Sequence, residues 1–260
     1  MANCHPFLLI KEILMQELLN YQEILLSGAW LTLQVALLSL IVAVTLGLVA
    51  ALAKLSHSVF LKGIATLYTT IIRGIPDLIL MLLIFFGGQM LINNLSYNIN
   101  EWLNAQFTQF DPSHEWYSYL PDYIDISPYF AGIVTIGFIF GAYMAETFRG
   151  AYLSVEKGQL EAATAYGMNK YKIFVRVMFP QMMRHALPGI ANNWLVLLKT
   201  TSLVSIIGLQ DMVKTAGDAA GTTQQPFTFY LAVAFIFLFF TAVSNFFLKR
   251  LEVKYSIKTR

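Results

Sequence analysis

EAATAYGMNKYKIFVRVMFP, residues 161 to 180, is a polar and basic island in a chain otherwise dominated by apolar residues. Helix-compatible residues run from Gly158 to Tyr166 and meet Gly167, the residue type best suited to the left-handed turn that closes a helix. Asn169 then offers a side-chain cap for a second helix. In that second helix Ile173, Phe174, Val177 and Met178 share one face while Lys170, Lys172 and Arg176 stay wet, and Pro180 limits its extension. Two short helices at an angle, presenting an apolar face, suit insertion into a groove on another protein. A re-entrant or interfacial helix that touches only lipid has the same pattern, and the island alone leaves both readings open.

The surroundings of the island are those of a membrane protein. Of 260 residues, 57% are hydrophobic and 12% charged, against roughly 45–50% and 25% in soluble domains. A net charge of +2 is too small to point to nucleic acid. The single cysteine, Cys4, excludes an internal disulfide, and His5, His57, His114 and His185 are scattered without ligand spacing, so no metal site is expected. No GxxxxGK stretch is present, so no phosphate-binding loop of that type is expected in this chain. Residues 1–23 lack the pattern of a cleaved leader; Phe7, Ile10, Ile13, Leu14, Leu18 and Leu25 recur at helical spacing and predict an amphipathic segment on the membrane surface.

A crossing helix needs about 20 apolar residues. Five segments meet or approach this: Ile24 to Ala53, Val59 to Ile92, Pro128 to Ala145, Pro188 to Leu209 and Pro226 to Leu248. The second is interrupted by Arg73-Gly74-Ile75-Pro76-Asp77. The predicted fold class is therefore an all-α integral membrane protein of five transmembrane helices. Thirteen Lys and Arg fall in segments 54–62, 148–185 and 249–260, against two in 1–23, 93–127 and 211–225. The positive-inside rule then puts the N-terminus outside, the C-terminus and the island in the cytoplasm. The outer loop 93–127 carries five acidic and eight aromatic residues. Its residues Ile99, Trp102, Leu103, Gln106, Phe107 and Phe110 are spaced as one face of a short helix, which predicts an interfacial helix on the outer surface; a docking surface for an external partner is the alternative.

Charges within a membrane are costly and either line a pathway or pair with each other. Thr66, Thr69, Thr70, Arg73 and Asp77 form a polar stripe along the second span, Glu146 sits near the inner end of the third, and Asn192, Lys199 and Ser202 fall within roughly 80° of one another on the fourth. Arg73, with its planar fork, suits a carboxylate, and Glu146 or Asp77 an ammonium or guanidinium group. The competing reading is that Arg73, Asp77, Glu146 and Lys199 satisfy one another and lock the bundle.

The island carries a family resemblance. Glu161-Ala162-Ala163, Gly167 after three further residues, and Val177-Met178-Phe179-Pro180 after another nine resemble the EAA signature of ABC importer membrane subunits, departing only where Val177 and Phe179 replace isoleucine and leucine. TTIIRGIPDLILMLLIFFG (69–87), GAYMAETFRGAYLSVEKGQLEAATAYG (141–167) and LPGIANNWLVLLKTTSLVSIIGL (187–209) resemble the polar amino-acid permease subfamily, in particular its Q-type subunits for histidine, lysine, arginine and ornithine. The resemblance implies a type I importer fold over residues 24–260, with the cytoplasmic loop 148–185 docking into a cleft of a separate ATPase. Glu161, Ala162, Ala163, Gly167, Phe174, Val177, Phe179 and Pro180 would make that coupling surface. It implies an inner-membrane location, half of a pathway for basic L-amino acids, and partners: an M-type membrane subunit or a second copy, an ATPase dimer and a periplasmic amino-acid-binding protein. This chain would be no enzyme and bind no cofactor, ATP and magnesium belonging to the ATPase. A self-contained secondary transporter or channel is the alternative; five spans without a visible inverted repeat disfavour it.

Overall fold

The computed structural model describes residues 16–110, 115–121 and 123–255. The described residues form helices joined by turns and extended segments. In chain order they are α1 (Gln22–Leu55), α2 (Val59–Gly74), α3 (Asp77–Phe110), α4 (Pro128–Leu153), α5 (Lys157–Ala165), α6 (Lys170–Ile173), a π turn (Phe174–Met178), α7 (Phe179–Thr200), a 3-10 turn (Thr201–Ile207), α8 (Met212–Thr223) and α9 (Pro226–Tyr255). Five stretches are long and apolar enough to cross a membrane: α1, α3, α4, the run from α6 through the 3-10 turn, and α9. The first fifteen residues of the predicted surface segment lie outside the described residues; Leu18, just beyond them, packs against a small core formed by α1, α8 and α9.

The main core is built on α4, packed most closely against α1, with α2, the start of α3 and α7 around them. Lipid offers no hydrophobic drive to bring helices together, so close approach through small residues does that work. A Cβ at Gly47 would sit 2.5 Å from Met144 Cβ, and one at Gly137 would sit 2.5 Å from Val42. Hydrogen bonds supplement the packing. Ser39 Oγ donates to the Ile133 carbonyl at 3.2 Å, and Tyr68 Oη donates to the Phe138 carbonyl at 2.5 Å. Asn193 Nδ2 donates to Thr147 Oγ1 at 3.0 Å and joins α7 to α4.

The predicted interruption of the second span is present. Pro76 forces the preceding Ile75 out of helical geometry (φ −109°, ψ 140°), and α3 restarts at Asp77, whose carboxylate sits at the positive end of the new helix. The polar stripe of α2 thus ends at a helix break, and irregular backbone within a membrane must be buried in protein or line a cavity.

Three expectations are corrected. Pro180 does not limit the helix that precedes it, and the fourth span does not begin at Pro188. Helix runs through both prolines. The π turn explains the first: the Phe179 N–H donates to Phe174 O, five residues back, and this wider turn leaves room for the proline ring that a regular turn would crowd. The third correction concerns 93–127. Its first half is the continuation of α3 to Phe110, not a separate helix lying on a surface. The apolar residues of the anticipated face are largely exposed (Trp102 62%, Phe110 85%), while Ser96, Asn100 and Asn104 are the buried ones.

Those buried polar groups hold the returning chain. Asn104 Oδ1 accepts the Tyr117 N–H at 2.9 Å and its Nδ2 donates to the Tyr117 carbonyl at 2.8 Å. Asn100 repeats this two-way clasp on Leu120, at 2.8 and 2.9 Å. Ser96 donates to the Pro121 carbonyl at 2.6 Å. Asn93 accepts the Ile124 N–H at 2.9 Å, and Gln89 accepts the Ile126 N–H at 2.9 Å while donating to the Ile124 carbonyl. The strap is an extended segment whose backbone is satisfied by side chains of a helix, in place of a sheet partner.

Beyond α7, Gly208 takes the left-handed conformation (φ 95°) and turns the chain into α8. There Asp211 is buried; its Oδ1 accepts the Lys214 N–H at 2.9 Å, while Oδ2 has no hydrogen-bond partner among the described residues. Burial pushes the Asp211 carboxyl up to about 6.

Candidate translocation and coupling sites

The polar residues singled out in the spans separate into two groups. Glu146, on α4, is fully engaged: Lys54 from the end of α1 pairs with Oε1, and Arg149 Nε lies 3.0 Å from Oε2. Lys54 Nζ also donates to Thr69 Oγ1 at 2.7 Å, so the cluster ties α1, α2 and α4 together. Lys54 and Glu146 are both largely shielded from solvent. The sequence pattern marks Lys54 and Arg149 as charges of the inner loops; the geometry makes them the partners of Glu146.

Arg73, Asp77 and Lys199 form no ion pair among the described residues. Arg73 is exposed, with its guanidinium carbon 5.6 Å from the centroid of the Tyr143 ring. Tyr143 also reaches the Asp77 carboxylate. Tyr143 and Glu146 are one turn apart on α4, so the helix break and the ionic cluster lie along a single stripe. On α7, Asn192, Val196 and Lys199 are exposed on one face, and Ser202 Oγ donates back to the Lys199 carbonyl at 2.8 Å. The neighbouring Asn193 points the other way, into the packing with α4. The structure thus does not bring Arg73, Asp77, Glu146 and Lys199 into one mutually satisfied cluster. It pairs Glu146 elsewhere and leaves Arg73 and Lys199 uncompensated. Tyr143, which bridges the break, carries no sequence signal apart from its one-turn spacing to Glu146.

At the far end of α4 the island has the local structure its sequence predicts. Gly167 has φ 74° and closes α5 with the Met168 N–H donating to Ala163 O at 3.2 Å. A Cβ at Gly167 would meet nothing within 4 Å, so its requirement for glycine is one of backbone conformation alone. Asn169 Oδ1 accepts the Lys172 N–H at 2.9 Å and starts α6. Gln181 Nε2 donates to Gln159 Oε1 at 2.5 Å, bracing α5 against α7. Of the signature residues, Ala163 is buried and holds the turn together, while Glu161, Ala162, Phe174, Phe179 and Pro180 are exposed and Val177 is half-buried. Phe174 and Phe179 stand with ring centroids 6.0 Å apart, on either side of the π turn.

A model of the binding-protein-dependent transport system inner membrane component matches residues 43–257. The chain belongs to that family. Among its relatives is the histidine/lysine/arginine/ornithine transport system permease protein HisQ of Salmonella typhimurium, 47% identical over 240 residues that cover 92% of this chain and 96% of the relative. The arginine ABC transporter permease protein ArtQ of Escherichia coli is 36% identical over 228 residues, covering 88% of this chain and 93% of the relative. The crystal structure of an amino acid ABC transporter with histidines superposes with a TM-score of 0.71 at 28% identity, over 91% of this chain and 96% of that one. An inward-facing MetNI methionine transporter shares the fold at a TM-score of 0.66 and 16% identity, over 92% and 99%. In this family the chain is an inner-membrane permease subunit of an amino-acid ABC transporter, and the five crossing helices are those of its relatives' architecture.

Proposed function

We propose that this permease forms half of the pathway of an ATP-driven importer for basic L-amino acids, completed by an M-type membrane subunit and powered by a cytoplasmic ATPase dimer. Relatives named for histidine, lysine, arginine and ornithine, and for arginine, support the substrate class. The excess of Lys and Arg at the island end supports placing that end in the cytoplasm and the N-terminus outside. The observation that carries the site assignment is the separation of charges: Glu146 is satisfied within the chain, whereas Arg73 and Lys199 hold uncompensated charge on exposed faces. In this reading Arg73 and Lys199 take the substrate carboxylate as it passes, and Asn192 and Ser202 offer neutral hydrogen bonds. Asp77 takes the cationic side. Glu146 exchanges Lys54 for the substrate's ammonium or guanidinium group, so the ion pair acts as an inner lock that a basic amino acid opens. The exposed surface of Glu161, Phe174 and Phe179 enters the ATPase.

The test is purification in mild detergent from cells expressing the chain and Gly167→Val. The native chain is expected to bring down one ATPase and one related membrane subunit. Forcing a β-branched residue to φ 74° costs roughly 1–2 kcal/mol and turns α6 away from α5. The variant is therefore expected to insert normally, keep its membrane partner and lose the ATPase. Retention of the ATPase at the native level would remove the coupling assignment.

A further inference from the structure

The outer projection built by α3 and its strap is not absorbed by the pathway or the coupling surface. A helix of 34 residues is about 51 Å long, against about 30 Å of hydrocarbon. With α3 starting at the edge of the hydrocarbon about 20 Å lies beyond it, and starting at the break within the membrane more does. Trp and Tyr belts sit within the headgroup layer, yet the projection exposes Trp102 at 62%, Trp116 at 59% and Tyr123 at 65%. Its charge runs one way: residues 93–127 carry five acids and no Lys or Arg, with Glu101, Glu115 and Asp125 exposed. Surface helices that bind lipid pair their apolar face with Lys and Arg, and acidic side chains gain nothing from phosphate headgroups, so lipid does not account for rings set among this charge. Exposed Trp and Tyr flanked by charge of one sign are the composition of a protein-docking surface.

The clasp anchors the chain just beyond Trp116: Gln89, Asn93, Ser96, Asn100 and Asn104 hold Tyr117, Leu120, Pro121, Ile124 and Ile126 to α3, and contacts held in place before binding lower its ordering cost. We propose that the α3 arm is the docking post for the substrate-loaded binding protein, engaged through a basic face of that protein. The inference rests on the transport reading above, and the family's dependence on a binding protein supplies the partner. Acidic Glu101 and Glu115 draw the basic face in, and Trp102 and Trp116 bury themselves against it.

The experiment uses the complete transporter in nanodiscs, with ATP hydrolysis followed as the arginine-loaded binding protein of the same transporter is titrated in. Trp102→Ala/Trp116→Ala and Glu101→Lys/Glu115→Lys are each expected to raise the half-saturating concentration by about tenfold, with basal hydrolysis and subunit composition unchanged. Added salt is expected to weaken the native response more than the charge-reversed one. An unchanged half-saturating concentration in both variants overturns the proposal. So does loss of the second membrane subunit from the complex, which would assign the face to subunit pairing. A response that tracks phosphatidylglycerol in the nanodisc would assign it to lipid and overturn the proposal too. Absence of any stimulation in the unmodified transporter overturns the transport reading and the arm with it.

Discussion

The ionic cluster at Glu146 and the charges at Arg73 and Lys199 occupy the same bundle but stand in opposite circumstances. Glu146 has both oxygens engaged by cations from α1 and α4, in a largely shielded position. Arg73 and Lys199 are exposed on α2 and α7 and form no ion pair among the described residues. A buried charge that has lost its partner is far more costly than a pair that never formed, so the first group carries a structural load beside the inner lock proposed for it. The second answers to whatever enters from outside the chain. Substitutions at the two places should therefore fail in different ways.

The largest expected effect is at the cluster. Lys54→Met leaves Glu146 half-compensated, and removal of one member of a buried pair costs about 3 kcal/mol. Reduced assembly and equal loss of arginine, histidine and glutamine uptake are expected, measured per cell and by melting of the purified complex. The double variant Lys54→Met/Glu146→Leu, which removes both charges, should regain most of the melting temperature while transport of basic substrates stays impaired. If the double variant melts like the single one, the pair is not what holds α1 to α4. Next comes Arg73→Lys. The charge is kept and the bidentate fork lost, so uptake is expected to fall about tenfold at normal assembly. A fall in assembly instead would move Arg73 into the structural group.

The smallest effect sharpens the comparison with a third buried charge. Asp211 is raised from 3.8 to about 6 by burial, and its Oδ2 lacks a partner. A carboxyl whose folded value lies above its unfolded one favours the fold in its protonated form. Its stabilising contribution is full below 3.8 and lost as pH rises through about 6. The native protein should therefore melt a few degrees lower at pH 7.5 than at pH 4.5 through this group. Asp211→Asn keeps an N-cap and should flatten that difference, gaining about 2–5 °C at pH 7.5. An unchanged slope would show that Asp211 is solvated or partnered in the folded protein.

The readable parts of this chain were those governed by short-range rules. The break at Arg73–Asp77 follows from Gly74 and Pro76, and the turn at Gly167 and the cap at Asn169 follow from backbone preferences that neighbours do not override. Pro180 was misleading because the rule that proline ends helices assumes a regular turn, and Phe174–Met178 is not one. The outer loop was misleading for a different reason. Apolar spacing identifies a buried face only where apolar groups supply the packing, and along α3 the packing partner is a backbone that needs donors and acceptors. The spacing of Gln89, Asn93, Ser96, Asn100 and Asn104 by three or four was visible, but polar residues at helical intervals ordinarily mean a wet face. Of the partners of Glu146, Arg149 lies within local reach three residues on, whereas Lys54 stayed hidden because it is far away in sequence and no local rule joins the two.

The π turn at Phe174–Met178 has a further consequence, one of phase. Such a turn holds one more residue than a regular α turn, and each residue advances a helix by about 100°. Every position of α7 beyond it is therefore rotated by roughly that angle relative to where a regular helix of the same residues would place it. Wound as a regular helix throughout, the same residues would swing Asn192 and Lys199 off their exposed face and carry buried Leu198 outward. The aim of the uncompensated charges is thus set about 20 residues away, by a local excess of one residue in the loop proposed to meet the ATPase. Loss of that one residue would straighten the helix and leave the face beyond it in place, whereas loss of a residue from the regular turns of α7 would rotate it.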